Sequence, residues 1–223
     1  LGGAAVAILQ LLSCDSSGQG PETLVLPLTQ LDDHSLSIDE PSGLSLAAGG
    51  RSLWVVSGQT DFIYRLDLDG TVLDSVSYAG QDPEGVAFDP ADSTLWLVEE
   101  REREIVQIDL DGREVRRVRL ALDGDDNSGL EGVCVDDDGS VYVLNEKKPA
   151  SLILLTGDLA IEQMWFLDFA GDVSGMAWDR RRQAFWIVSD QDRSVYLWSP
   201  AAGLLGWSAL DGKKAEGVAY DPD

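Results

Sequence analysis

The chain has 223 residues, with 16 Lys and Arg against 40 Asp and Glu and a formal net charge of −24. A balance this acidic excludes the basic stripe that phosphate backbones require, and with it nucleic acid as the partner. Hydrophobic residues at 44% and aromatics at 8% suffice for a globular core, so the expected body is folded, acidic and suited to cations or neutral ligands.

The first segment, Leu1 to Leu12, is mostly apolar. It is too short to span a bilayer, which takes about 20 residues, and reads as the apolar region of a secretory signal. Leu11-Leu-Ser-Cys14 resembles a bacterial lipobox, in which Cys14 becomes the lipidated N-terminus, and Asp15 resembles a signal for retention in the inner membrane. The expectation is an exported lipoprotein at the cell membrane, on the periplasmic or outer side of the inner membrane, held by its lipid alone. Residues 1–20 then comprise signal remnant, lipobox and polar linker, and residues 21–223 form one domain. With Cys14 lipidated no disulfide is available, and Cys134, in the apolar run Gly132-Val-Cys-Val135, reads as a small buried hydrophobe.

Leu24-Val-Leu-Pro-Leu-Thr-Gln-Leu31 reads as an outer strand of the kind that closes a ring of repeats. The repeat itself follows. Pro41-Ser-Gly-Leu-Ser-Leu46, Pro83-Glu-Gly-Val-Ala-Phe-Asp89, Leu130-Glu-Gly-Val-Cys-Val-Asp136, Val173-Ser-Gly-Met-Ala-Trp-Asp179 and Ala215-Glu-Gly-Val-Ala-Tyr-Asp221 share one pattern. Their glycines, Gly43, Gly85, Gly132, Gly175 and Gly217, are spaced by 42, 47, 43 and 42 residues. A period in the low forties without a helical stripe is the length of one four-stranded propeller blade, so the predicted fold is an all-β propeller. Inside each period a polar turn follows the first strand, and a second strand carries an aromatic at one place: Trp54, Trp96, Tyr142 or Trp186. These aromatics are expected between blades. Asp67-Leu-Asp-Gly70 and Asp109-Leu-Asp-Gly112 are read as hairpin turns, since they lack the other ligands of a calcium loop. Four blades fill residues 37–214 and a fifth has begun by Asp223. Six blades would need roughly 70 residues more, and the chain alone is expected to form an open arc with exposed strand edges.

In a propeller the residue before each first strand and the residues after each second strand meet at one mouth of the axis. The first tier is Ser42, Glu84, Glu131, Ser174 and Glu216; the second includes Glu99-Glu100, Asn145-Glu146 and Ser189-Asp190. Carboxylates so close repel one another unless protonated or neutralised. Glu84, Glu131, Glu216, Glu100, Glu146 and Asp190 are therefore candidate ligands for a hard cation, and Ca²⁺ suits a loose oxygen ring better than Mg²⁺. The competing reading is a solvated rim hydrogen-bonded to loop amides. The acidic loop Asp123–Gly129 reads as solvated. His34, the single histidine, lies before the first repeat, and no Gly-x-Ser-x-Gly, P-loop or His-Glu-x-x-His occurs, so no catalytic residue is assigned.

Glu40-Pro-Ser-Gly43, Asp82-Pro-Glu-Gly-Val-Ala-Phe-Asp89, Trp96-Leu-Val-Glu-Glu100, Leu130-Glu-Gly-Val133 and Val143-Leu-Asn-Glu146 together resemble the SdiA-regulated, YjiK-like family of bacterial propellers over residues 22–223. The resemblance implies a six-bladed, membrane-associated envelope protein. The expected function is binding of a small-molecule or protein partner at the acidic mouth through Ca²⁺. The alternative is a Ca²⁺-dependent phosphoester or lactone hydrolase, for which Lys147, Lys148, Arg101 and Arg103 are the available phosphate-holding cations.

Overall fold

A computed structural model describes residues 24–123, 128–211 and 214–222, with the backbone alone of residues 5–11. Cys14 and its surroundings, and most of the acidic loop at Asp123–Gly129, lie outside the described residues. The chain is all β. Strands β1 (Ala5–Leu11), β2 (Leu24–Val25) and β3 (Leu28–Ser35) precede the repeats. Blade 1 contains β4 (Pro41–Leu46), β5 (Ser52–Ser57), β6 (Phe62–Asp67) and β7 (Val72–Ser77). Blade 2 contains β8 (Pro83–Asp89), β9 (Thr94–Glu99), β10 (Glu104–Asp109) and β11 (Glu114–Arg119). Blade 3 follows with β12 (Leu130–Val135), β13 (Val141–Asn145), β14 (Ser151–Leu155) and β15 (Ile161–Phe166), and blade 4 with β16 (Gly175–Asp179), β17 (Ala184–Ser189), β18 (Ser194–Ser199) and β19 (Gly203–Ala209). Within each blade, neighbouring strands pair antiparallel in chain order.

The hairpins form where the sequence supplies turn chemistry. Asp67 Oδ1 accepts from the Thr71 amide at 2.8 Å, Asp109 Oδ1 from the amides of Asp111 and Arg113, and Asp136 Oδ1 from those of Asp138 and Ser140. Gly70, Gly112 and Gly139 follow in left-handed conformations, which a residue with a Cβ adopts at a cost. The Asp-Leu-Asp-Gly segments are thus turns.

The core lies between the blades. Trp54 packs with Val86, Leu95 and Leu97 of blade 2, and Trp96 with Leu130, Val133 and Val143 of blade 3. Trp186 packs against Leu26, Val218 and Tyr220. Cys134 is a free thiol buried at the interface of blades 3 and 4, and desolvation pushes its ionisation well above the ordinary range.

The ring closes. Residues 214–222 run between blades 4 and 1, with Val218 and Tyr220 on the blade 4 core and Ala219 on the core of blade 1 around Leu53 and Val55. Around the axis, a Cβ added to any repeat glycine would lie 2.7–3.4 Å from the Cα of the next, and Gly217 returns to Gly43 at 3.2 Å. The expected open arc is therefore not what forms, because the fifth inner segment covers both free faces. The axial cavity lined by Gly43, Gly85, Gly132, Gly175 and Glu131 has a volume of about 10 Å³, at the lower limit for one water.

The segment expected as one outer strand is divided. Leu24–Val25 adds in parallel to the outside of blade 4, opposite Gly206 and Trp207, whereas Leu28–Ser35 pairs with Ala5–Leu11. Gly206 permits the first pairing, since a Cβ there would lie 2.7 Å from the Leu24 carbonyl oxygen.

Candidate metal centre

Each first strand starts at the same mouth of the ring, and in three blades it starts with a bulge. Pro83 faces Glu99 and Gly85 faces Val98, which leaves Glu84 as the extra residue; Glu131 is extra in the same way between Leu130 and Gly132. Blade 1 has the same irregularity between Pro41 and Leu44. A bulge re-aims its side chain out of the alternating pleat, here toward the axis.

Four of the six predicted carboxylates come together. Glu100, Glu131 and Glu146 have carboxylate oxygens all within 4.8 Å of one another, and a second trio within the same distance consists of Asp82, Glu84 and Glu100. All five are half-buried, and Glu100 belongs to both trios. Glu216 and Asp190 lie on the blade 4 side of the mouth. The charge of Glu216 is felt at Glu84 and at Glu131, and that of Asp190 at Glu216, but neither residue enters a trio among the described residues.

The electrostatics follow from burial and crowding. Glu131 is pushed from its ordinary 4.5 up to about 10, first by desolvation and then by the charges of Glu84, Glu146, Glu100 and Glu216. Glu84 is pushed up to about 7 by desolvation, although the Ser42 hydroxyl donates to its Oε2 and pulls the other way. Desolvation also raises Glu100 and Glu216. At neutral pH burial and mutual repulsion therefore favour protonated carboxyls at the mouth, and a bound cation would displace those protons.

Among the described residues, Arg101, Lys147 and Lys214 pair with carboxylates at the mouth. Arg101 Nε lies 2.8 Å from Asp82 Oδ2, Lys147 is paired with Glu146 Oε1, and Lys214 Nζ lies 3.7 Å from Glu216 Oε1. Glu146 Oε2 is buried without a hydrogen-bond partner among the described residues. A ring of hard oxygen donors, one of them unsatisfied, fits a hard divalent cation.

A family model described as SdiA-regulated matches residues 29–223. The chain belongs to the SdiA-regulated family. No curated protein matches it. Among solved structures, this SdiA-regulated propeller is similar to a streptogramin B lyase, at 16% identity and a TM-score of 0.54, over 81% of this chain and 59% of that one. It is similar to the glutaminyl cyclase of Myxococcus xanthus, at 15% identity and a TM-score of 0.62, over 82% and 81% of the two chains. A nidogen/laminin complex structure matches at 18% identity and a TM-score of 0.59, over 82% and 69%. The chain spans just under three fifths of the lyase, and likeness at these identities shows the fold.

Three residues at or beside this mouth escape sequence reasoning. Asp82 was not among the predicted ligands, although it stands three residues before the repeat glycine, as Glu40 and Asp172 do. Both Asp82 and Glu40 hold left-handed φ, 61° and 42°, which carries the chain into the bulge. Glu99 turns away from the mouth. It is 1% exposed and accepts from the Tyr78 hydroxyl and from Arg117 Nη1 at 3.1 Å, in the interface of blades 1 and 2. Asn145 likewise serves its loop, donating to the carbonyls of Lys147 and Pro149 at 3.2 and 3.0 Å.

Proposed function

We propose that this protein is an exported, lipid-anchored propeller that holds Ca²⁺ at its acidic mouth and, through that ion, a ligand or protein partner. The observation that carries the reading is the pair of carboxylate trios sharing Glu100. Ca²⁺ accepts 6–8 oxygens at about 2.3–2.6 Å in irregular geometry, whereas Mg²⁺ requires a near-ideal octahedron. A half-buried rim leaves part of the coordination sphere to an outside oxygen, which is how a partner would be recognised. The anchor rests on Leu11-Leu-Ser-Cys14 in the sequence.

A phosphoester hydrolase is the less favoured reading. Arg101 and Lys147, which would hold a phosphate, are engaged by Asp82 and Glu146. His34 lies on β3 beside Asp32 and Asp69, so no imidazole base belongs to the mouth.

Calorimetric titration with Ca²⁺ tests the site. The wild-type chain should bind saturably, and the Glu84→Gln/Glu131→Gln double variant should weaken binding by at least about tenfold, since each carboxylate contributes a charged contact. Equal affinity in the two proteins would remove the proposal.

A further inference from the structure

On the face opposite the carboxylate mouth, a polar cavity of about 370 Å³ opens between blades 2 and 3. Its lining includes Asp92, Gln107, Arg116, Asp138 and Glu162. The volume is at the small end of the range for ligand pockets, which suits a molecule the size of an amino acid.

Arg116 is fixed on three sides. Its guanidinium stacks 4.6 Å from the centroid of the buried Trp96 ring, its Nε donates to Gln107 Oε1 at 2.9 Å, and its Nη1 donates to the Gly157 carbonyl at 2.9 Å. Gln107 is itself 4% exposed, and its amide donates to Asp92 Oδ2 at 3.0 Å and to Thr94 Oγ1 at 2.7 Å. Among the described residues no hydrogen bond from Nη2 of Arg116 is formed. A planar donor held this way loses little entropy on meeting a carboxylate.

The cavity also departs from the repeat. The cross-strand position after each aromatic holds Arg65, Gln107, Leu154 and Leu197 in the four blades, and the next strand holds Asp74, Arg116, Gln163 and Gly206. Only blade 2 sets an Arg on this outer position. The outer-strand bulges leave Leu73, Val115 and Leu205 as extra residues in blades 1, 2 and 4, but Glu162 in blade 3, which borders the cavity.

Asp92, Asp138 and Glu162 give the cavity an excess of negative charge that repels simple anions. The single fixed cation still offers a place for one carboxylate. We propose that the cleft binds a small α-amino acid zwitterion, its carboxylate on Arg116 and its ammonium among the acidic residues, with basic side chains bound best. This reading is independent of Ca²⁺ at the mouth.

Calorimetry with L-lysine, L-alanine and L-glutamate on the full chain, in chelator, tests it. Saturable binding is expected in the order lysine, alanine, glutamate, and both N-acetylated and C-amidated lysine should bind at least about tenfold more weakly, which separates a free amino acid from a peptide end. Arg116→Lys, which keeps the charge without the fork, and Glu162→Gln, on an exposed bulge, should each weaken lysine binding while the melting transition stays cooperative. Absence of heat with lysine at millimolar concentration, or unchanged affinity in both folded variants, would overturn the proposal.

Discussion

Asp179 is fully buried, and both of its oxygens are engaged. Oδ1 accepts from the amides of Arg181 and Arg182 at 3.0 and 3.1 Å, and Oδ2 accepts from the Trp186 indole at 3.2 Å and the Arg182 guanidinium at 2.7 Å. Asp89 plays the same part for the Ala91 amide and the Trp96 indole. The repeat aspartate therefore orders its turn and satisfies the indole that packs between blades. Asp179→Ala would orphan a buried donor and loosen a turn, and chemical denaturation should read a loss of about 2–4 kcal/mol. A loss below about 0.5 kcal/mol would show that the indole finds another acceptor. Adjacent residues can also part company at this scale. Glu99 and Glu100 stand side by side in sequence, yet strand alternation sends Glu99 to Tyr78 and Arg117 while Glu100 reaches the mouth.

The strand-level repeat was legible because the Gly spacing and the aromatic position recur, and both follow from backbone contacts that every blade must make. Gly85 illustrates the constraint, since a Cβ there would lie 2.7 Å from Val98 Cγ2, 2.8 Å from the Glu131 carbonyl oxygen and 3.0 Å from the Gly132 Cα. Gly139 meets nothing within 4 Å, and only its φ of 80° opposes a side chain. Urea denaturation should accordingly find Gly139→Ala costing about 1 kcal/mol and Gly85→Ala about 3 kcal/mol or more. The reverse order would mean that the inner strands can spread to admit a methyl group. What stayed hidden was the bulge. One extra residue at Glu84 or Glu131 leaves the apolar pattern intact while turning the carboxylate to the axis, so the sequence pointed to these ligands through the ring geometry of a propeller and not through a local signal. Asp82 was missed because a proline separates it from the repeated Glu-Gly and its partner Glu100 comes from another strand.

At the scale of the whole molecule, closure depends on contact between segments at opposite ends of the repeats, Gly43 and Gly217. No periodicity in sequence specifies whether such a contact forms; the open arc was expected from a six-blade count that needs roughly 70 residues more. The ring in turn gathers a small part of the −24 charge into one crowded mouth. The arginines of β11 do little to offset it, because Arg117 is taken by Glu99, Glu104 and Glu114. The crowded mouth has a pH signature. Glu84 at about 7 and Glu131 at about 10 both bind protons more tightly folded than at their ordinary 4.5, so their contribution to stability is full below pH 4.5 and is lost as pH rises through those folded values. The most direct test of the cation site is thermal denaturation between pH 5 and 9, in chelator and in saturating Ca²⁺. The transition temperature should fall with rising pH in chelator, and Ca²⁺ should remove most of that fall. The Glu84→Gln/Glu131→Gln variant should show a markedly smaller pH dependence in chelator, with Glu100 and Glu216 left to carry the remainder. A decline in chelator that persists unchanged in Ca²⁺, or that the double variant retains in full, would contradict a cation-neutralised carboxylate mouth.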